Sequence, residues 1–227
     1  MLGFGTVALH REVVAFIDAA IDQARPGGQR MLELGDQVIL DAPDLPPTGK
    51  AYYTSRGFTH TSVDLNGAHG SLRHNLAKPM PHTWDGQFDV VTNAGTTEHV
   101  EPFTAQYTCF ESLHRVLAVG GVAVHIVPDV DELDQRGAWK WHSNQYYSHA
   151  FFHMLADQNG YRLIASTILI GGHRCAALHK VADQPFMTDR RMFLSQVARR
   201  PGGQIYYGIN GGLLAKIYHR LYRTLHR

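Results

Sequence analysis

Cysteine is scarce in this chain of 227 residues, which contains only Cys109 and Cys175. They fall in a helix-like and a strand-like segment, and neither has a second cysteine at the short spacing of a metal knuckle or redox pair. We therefore expect both thiols in the core. The 15 histidines are scattered and form no His-Glu-x-x-His pattern, so no metal is expected.

Long apolar runs are also missing. No run approaches the roughly 20 residues that a membrane-spanning helix needs. Residues 1–9 are too short for a secretory signal and lack its basic flank. We therefore expect a cytoplasmic protein. Its 44% hydrophobic content is enough for a substantial core, and its length fits one domain with an appendage better than two domains.

The small net charge of +1 conceals a basic end of the chain. From residue 184 onward Asp189 is the only acid, whereas arginine recurs and Lys216 adds to it. The apolar residues near the end share one face of a predicted helix: Leu214, Ile217, Tyr218, Leu221 and Leu225. We divide the chain into a domain over 1–183 and a basic helical extension over 184–227. The extension is expected to cover the core or form a homodimer, with contact to an anionic membrane surface as the alternative.

Helical and strand-like segments alternate along the first 180 residues. Periodicity predicts helices over 7–24, 51–56, 103–117 and 146–158, and strands over 31–37, 60–65, 88–93, 122–127, 161–170 and 174–180. The last two strands are close enough to form an antiparallel hairpin. This order predicts an α/β layer sandwich with a mostly parallel sheet.

Polar residues and glycines follow three of these strands. Glu33 and Gly35 end the first, Asp64 the second, and Asn93 with Gly95 the Phe88 strand. In an open parallel sheet the ligand lies beyond the carboxyl ends of the strands. An acid after the second strand suits a ribose diol, and a glycine after the first lets the backbone approach a ligand closely.

The motifs at these positions, taken in order, resemble class I S-adenosylmethionine-dependent methyltransferases over about residues 8–180. The matching segments are Leu32-Glu33-Leu34-Gly35, Val63-Asp64-Leu65, Phe88-Asp89-Val90-Val91 and Leu113-His114-Arg115-Val116-Leu117 followed by Gly120-Gly121. The resemblance implies a three-layer, Rossmann-like sandwich with a seven-stranded sheet whose last pair is an antiparallel hairpin.

The resemblance also implies S-adenosyl-L-methionine as cofactor. The first loop, including Glu33, Gly35, Asp36 and Gln37, would contact the methionine part. Asp64 would contact the ribose, Asn75 and Leu76 the adenine, and Leu65, Asn93 and Gly95 would complete the site. The first loop departs from the Gly-x-Gly-x-Gly pattern of the family, because Gly35 is followed by Asp36, Gln37, Val38 and Ile39.

Glu98 and His99 follow the fourth strand of the resemblance, where many related small-molecule methyltransferases have a Glu-His pair. His99 could act as general base because imidazole titrates near neutral pH. Alternatively, the pair begins a helix that Thr96 or Thr97 caps. With Glu101 they could also imitate the metal ligands of some relatives, although no metal is expected here.

The segment after the fifth strand is where this fold commonly builds its acceptor pocket. It contains Trp141, His142 and Tyr146, whose rings and polar tips suit a ring-shaped small molecule. The other interpretation is that these aromatic residues pack a long loop onto the body. The sequence thus predicts substrate contacts for Trp141, His142 and Tyr146.

The sequence as a whole predicts an enzyme that transfers a methyl group to an oxygen or nitrogen of a small polar metabolite, with a sugar or sugar-linked product as one candidate. The first alternative is a non-catalytic module that retains the fold without the cofactor. The second is an RNA methyltransferase guided by the basic tail, although nucleic acid is not the expected partner of an acidic main domain.

Overall fold

The computed structural model of the protein describes residues 8–130, 143–169, 172–199 and 206–207. The strands, in chain order, are β1 (Ala8–His10), β2 (Arg30–Leu34), β3 (Val38–Leu40), β4 (Thr59–Asp64), β5 (Leu72–Arg73), β6 (Phe88–Ala94), β7 (Leu117–Pro128), β8 (Gln145–Tyr147), β9 (Tyr161–Leu169), β10 (His173–Lys180), β11 (Val197–Arg199) and β12 (Tyr206–Tyr207). The α-helices are α1 (Arg11–Ala24), α2 (Gly49–Ser55), α3 (Ala105–Val116), α4 (His149–Gln158) and α5 (Arg190–Ser195).

The central sheet has seven strands in the order β5-β4-β2-β6-β7-β10-β9. The pairs from β5 to β7 are parallel, and β10 runs antiparallel to both of its neighbours. The predicted seven-stranded sheet and its closing hairpin are therefore confirmed. The hairpin lies at one edge, so the strand ends of β4, β2 and β6 remain free to form a site.

Both faces of the sheet are buried, which confirms the three-layer architecture. Met31 and Val90 pack in the cluster that includes α1, whereas their neighbours Leu32 and Val91 pack with α3 and α4. Successive side chains of a strand point to opposite faces, so adjacent apolar residues such as these supply both cores at once. The two cysteines are free and buried as expected.

The segment 145–158 differs from the predicted helix. Its first residues form β8, which pairs with β11, and the helix α4 begins only at His149. The hydroxyl of Ser148 accepts a hydrogen bond from the backbone N–H of Phe151 at 3.1 Å, so it caps the helix there. Helical periodicity predicted a helix from residue 146, but residues 146 and 147 are extended and belong to β8.

Residues 184–199 pack against the main body. Phe186 and Phe193 belong to the larger apolar cluster, and β11 joins β8 and β12 in a separate three-stranded sheet. The helix predicted around 214–225 lies outside the described residues, and the division at residue 183 stays a prediction. Among the described helices, none is long and apolar enough to cross a membrane.

Candidate functional site

The carboxyl ends of the three inner parallel strands are level with one another. In the register of the sheet, Leu34 of β2 is opposite Val63 of β4 on one side and Asn93 of β6 on the other. The loops that leave these strands therefore begin at the same edge. Between them lies a cavity of about 590 Å³, a volume within the usual range for small-molecule sites.

Most of the residues predicted to bind a cofactor line this cavity. The structure brings together eight of them, from all three strand ends and the segment after β5: Gly35, Asp36, Gln37, Asp64, Leu65, Asn75, Leu76 and Gly95. His69, His74, Thr96 and Glu101 also line it, although the sequence did not predict them as cofactor contacts. These four residues reach the cavity because of the conformations of their loops, which the spacing of residues in the sequence does not predict.

Gln37 turns its side chain inward, beneath the first loop. Its amide nitrogen donates to the backbone oxygens of Leu34, at 3.0 Å, and Ala94, at 2.9 Å. The hydroxyl of Thr96 lies 3.0 and 3.2 Å from the same two oxygens. The two hydrogens of a primary amide can satisfy both carbonyls. Gln37, which stands where the related pattern has a glycine, thus links the ends of β2 and β6 through its side chain.

Gly35 is needed at the turn into this loop. Its φ of +86° lies in the left-handed region, and a Cβ there would be 2.5 Å from the amide nitrogen of Gln37. The carboxylate of Asp36, the next residue, is hydrogen-bonded to Nδ1 of His69 from the loop after β4. The two loops therefore meet at the cavity through side chains.

Glu33 does not line the cavity as predicted for a cofactor contact. Its side chain is buried, with one carboxylate oxygen 3.4 Å from the backbone nitrogen of Gln37 and the other 3.6 Å from Nε2 of His60. Burial raises the pKa of Glu33, and the nearby His60 opposes that shift. Gly49 at the start of α2 leaves room for this carboxylate, because a Cβ there would lie 2.1 Å from it. Glu33 supports the loop from below.

Asn93 is likewise fully buried rather than exposed to the cavity. Its oxygen accepts from the backbone N–H of Thr97 at 3.1 Å, and its nitrogen donates to the Thr97 hydroxyl at 2.8 Å. The same nitrogen lies 3.1 Å from Nδ1 of His125. Burial lowers the pKa of His125 to about 3, so the ring is neutral and can accept this bond. Asn93 therefore fixes the turn that leads to His99.

Two buried polar residues that the sequence analysis missed hold the same turn. The hydroxyl of Tyr147 donates to the side-chain oxygen of Gln106 at 2.8 Å, and the Gln106 amide donates to the backbone oxygens of Thr97 and Val100 at 2.6 and 3.1 Å. Gln106 lies in α3, where a glutamine ordinarily faces water, so its sequence position gives no signal of this role.

The predicted catalytic pair divides between the cavity and the core. His99 lines the cavity with its side chain 40% exposed, whereas the carboxyl of Glu98 is buried and is not among the described lining residues. Glu98 Oε1 lies 3.9 Å from Nε2 of His99, which is too long for a hydrogen bond. Burial raises the pKa of Glu98 to about 8. The carboxyl of Glu98 therefore lies in the core beside the turn rather than at the cavity wall.

The predicted substrate contacts are only partly described. Trp141 and His142 lie outside the described residues, and Tyr146 is buried in a small cluster with Val130 and Ala198. Tyr146 is not among the described residues that line the cavity. Its position in β8, which pairs with β11, explains the burial. No group of three or more metal-ligating side chains is found in the part of the chain that the structure describes.

Solved structures share this fold at low sequence identity. A Burkholderia thailandensis 1,6-didemethyltoxoflavin-N1-methyltransferase, solved with 1,6-didemethyltoxoflavin and S-adenosylhomocysteine, has 13% identity and a TM-score of 0.52, covering 74% of this chain and 77% of its own. An S-adenosylmethionine-dependent methyltransferase from Clostridium acetobutylicum has 10% identity and a TM-score of 0.51, covering 74% and 90%. No family model matches the sequence, and no curated protein is significantly similar. The chain has the class I methyltransferase fold.

Proposed function

We propose that this protein transfers a methyl group from S-adenosylmethionine to an oxygen or nitrogen of a small polar metabolite. The observation that carries the proposal is the convergence of Gly35, Asp64, Asn75 and Gly95, from separate segments, on one cavity at the carboxyl edge of the sheet. Ligands of open α/β sheets bind at this edge. The fold shared with the solved methyltransferases supports the same chemistry.

The residues of the cavity suit the parts of this cofactor. Asp64 would accept hydrogen bonds from the ribose hydroxyls, since one of its oxygens already accepts from the backbone N–H of Asn66 at 2.9 Å and is held in place. Leu65 is 67% exposed at the cavity and Leu76 is nearby, so both offer apolar surface to the adenine. Asp36 offers a carboxylate to the positively charged methionine end.

The cofactor supplies an activated methyl group, so the protein mainly has to align an acceptor with it. His99 is the cavity residue that would accept a proton from an acceptor hydroxyl or amine, because its ring is partly exposed there. The turn that contains it is held by the buried side chains of Asn93 and Gln106. Hydrogen bonds from buried side chains to the turn keep a general base on that turn in position.

The class of the acceptor is proposed from the volume of the cavity and from the Burkholderia enzyme that shares the fold. A volume of about 590 Å³ can hold the cofactor with a small acceptor but not a macromolecule inside it. The Burkholderia enzyme was solved with a small acceptor, which supports a small molecule for this chain as well. Trp141 and His142 remain the proposed residues for contacts with its ring, a sugar or sugar-linked product being one candidate.

Calorimetric titration of the full chain with S-adenosylhomocysteine tests cofactor binding. We expect saturable binding in the micromolar range, and a loss of about tenfold or more in Asp64→Ala, because two charge-assisted hydrogen bonds are removed. Asp157→Asn is the matched control, since it removes a carboxylate from the exposed side of α4. No binding at millimolar ligand would reject the enzyme in favour of a non-catalytic module.

A further inference from the structure

The end of the cavity beyond β6 contains a carboxylate to which the proposed cofactor contacts assign no role. Glu101 lines this end with His99 and Val100. Asp64 is the last residue of β4, and β2 lies between β4 and β6 in the sheet. Glu101 therefore enters the cavity from the β6 side, across the sheet edge from the ribose site proposed at Asp64.

A buried amide holds Glu101 in place. The side-chain nitrogen of Gln145 donates to Oε1 of Glu101 at 2.9 Å. Gln145 is fully buried in β8, which the antiparallel pairing with β11 fixes. A buried side chain in a paired strand has little freedom, so the carboxylate that it binds has a defined position at the cavity wall.

The carboxylates that line the cavity favour a positively charged ligand. Its described lining includes the carboxylates of Asp36, Asp64 and Glu101, and within the described ranges no lysine or arginine lines it. Asp36 is paired with His69. The partner of Glu101 is a neutral amide, so its charge is not offset by a cation among its described contacts. An anionic acceptor such as a carboxylate or phosphate would be repelled here.

We propose that the methyl acceptor is an amine, bound as its ammonium form by Glu101, with Gln145 as the residue that positions this carboxylate. The inference rests on the proposed function and narrows its acceptor from oxygen or nitrogen to nitrogen. Glu101 recognises the acceptor at the cavity wall, and His99, two residues earlier in the same turn, removes the proton that blocks its nitrogen lone pair.

The chemistry balances without a further reactant. The bound ammonium gives one proton to the imidazole of His99 and becomes a neutral amine. The nitrogen lone pair then forms a bond to the methyl carbon, the carbon–sulfur bond breaks, and its electron pair remains on sulfur. The products are a methylated ammonium and uncharged thioether sulfur, and His99 releases its proton to water. Glu101 carries its charge throughout and stabilises both ammonium forms.

A set of three probes on one skeleton tests the acceptor class. Binding of 2-phenylethylamine, 2-phenylethanol and phenylacetate is measured by NMR titration against the full chain saturated with S-adenosylhomocysteine. We expect the amine to bind about tenfold or more tightly than the alcohol, because only the ammonium adds an ion pair to its hydrogen bond with the carboxylate, and phenylacetate to bind most weakly.

The variants separate the role of Glu101 from general charge effects. Glu101→Gln should remove the preference for the amine and leave the affinity for S-adenosylhomocysteine unchanged, which also shows that the variant is folded. Gln145→Leu should reduce the preference, and Asp157→Asn should retain it. The inference would be overturned if the chain bound S-adenosylhomocysteine but either did not bind the amine or showed no preference for it. It would also be overturned if Glu101→Gln kept the preference for the amine. Failure to bind S-adenosylhomocysteine would instead overturn the proposed function.

Discussion

The side-chain nitrogen of Gln37 lies 2.9 Å from the backbone oxygen of Ala94, so the first loop is tied directly to the end of β6. The same nitrogen reaches the backbone oxygen of Leu34 at the end of β2. These two strands carry the loops that form the centre of the cavity. Gln37 thus stabilises the site from beneath, in a loop where the related pattern has glycine.

Replacing Gln37 with methionine should destabilise the fold, because the side chain keeps its length but loses both donors. We expect a loss of about 1–3 kcal/mol in the free energy of unfolding, because the single hydroxyl proton of Thr96 can serve only one of the two carbonyl oxygens and the other loses its donor. Denaturant unfolding measures it. Gln29→Met, at an exposed position beside β2, should change stability by less than about 0.5 kcal/mol. Equal effects in the two variants would contradict the role assigned to Gln37.

A matched pair of glycine substitutions tests the conformation of the first loop. Gly35→Ala should lose about 1–2 kcal/mol from its left-handed backbone and more from the contact of the new Cβ with Gln37, 2.5 Å away. Gly27→Ala is the control, because nothing lies within 4 Å of a Cβ at that site. Thermal unfolding compares the two. A Gly35→Ala variant as stable as the control would mean that the loop adopts another conformation.

The buried carboxyl of Glu98 should make stability depend on pH. Burial raises its pKa from 4.5 to about 8, so the folded protein keeps a proton that the unfolded chain releases. The corresponding stabilisation is complete below pH 4.5 and is lost as the pH rises to about 8. Each pKa unit corresponds to about 1.4 kcal/mol. Glu98→Gln, which retains a neutral side chain, should therefore gain several kcal/mol relative to the native chain between pH 5 and 8.

The measurement is the difference in free energy of unfolding between Glu98→Gln and the native chain across this range. Both chains contain His114 and His125, whose pKa values burial lowers to about 4 and about 3. Their contributions therefore cancel in the difference. A difference that stays constant with pH would show that Glu98 is ionised in the folded protein.

The sequence predicted the sheet well because its strands are buried on both faces. Runs such as 88–93 and 122–127 are mostly apolar and are buried along their whole length, as expected for central strands that are covered on both faces. It missed β8, whose residues 145–147 are extended because they pair with β11. That pairing joins segments about fifty residues apart, so no local pattern in 146–158 could reveal it.

The residues that line the cavity were predictable where their place depends on position along a strand. Asp64 is the last residue of β4 and Gly35 directly follows β2, and parallel strands bring such residues to one edge. Whether a side chain then faces the cavity or the core depends on tertiary contacts. Glu33 is directed to His60, and Glu101 is held by Gln145. These contacts come from distant segments, and for that reason composition and spacing did not identify them.

The most direct test of the account is a crystal structure of the full chain with S-adenosylhomocysteine. We predict the ligand in the cavity after β2, β4 and β6, with its ribose hydroxyls within hydrogen-bonding distance of the Asp64 carboxylate and with Gln37 still bound to Leu34 and Ala94. A ligand bound elsewhere, or bound only after Gln37 has left those two carbonyls, would contradict the central claim.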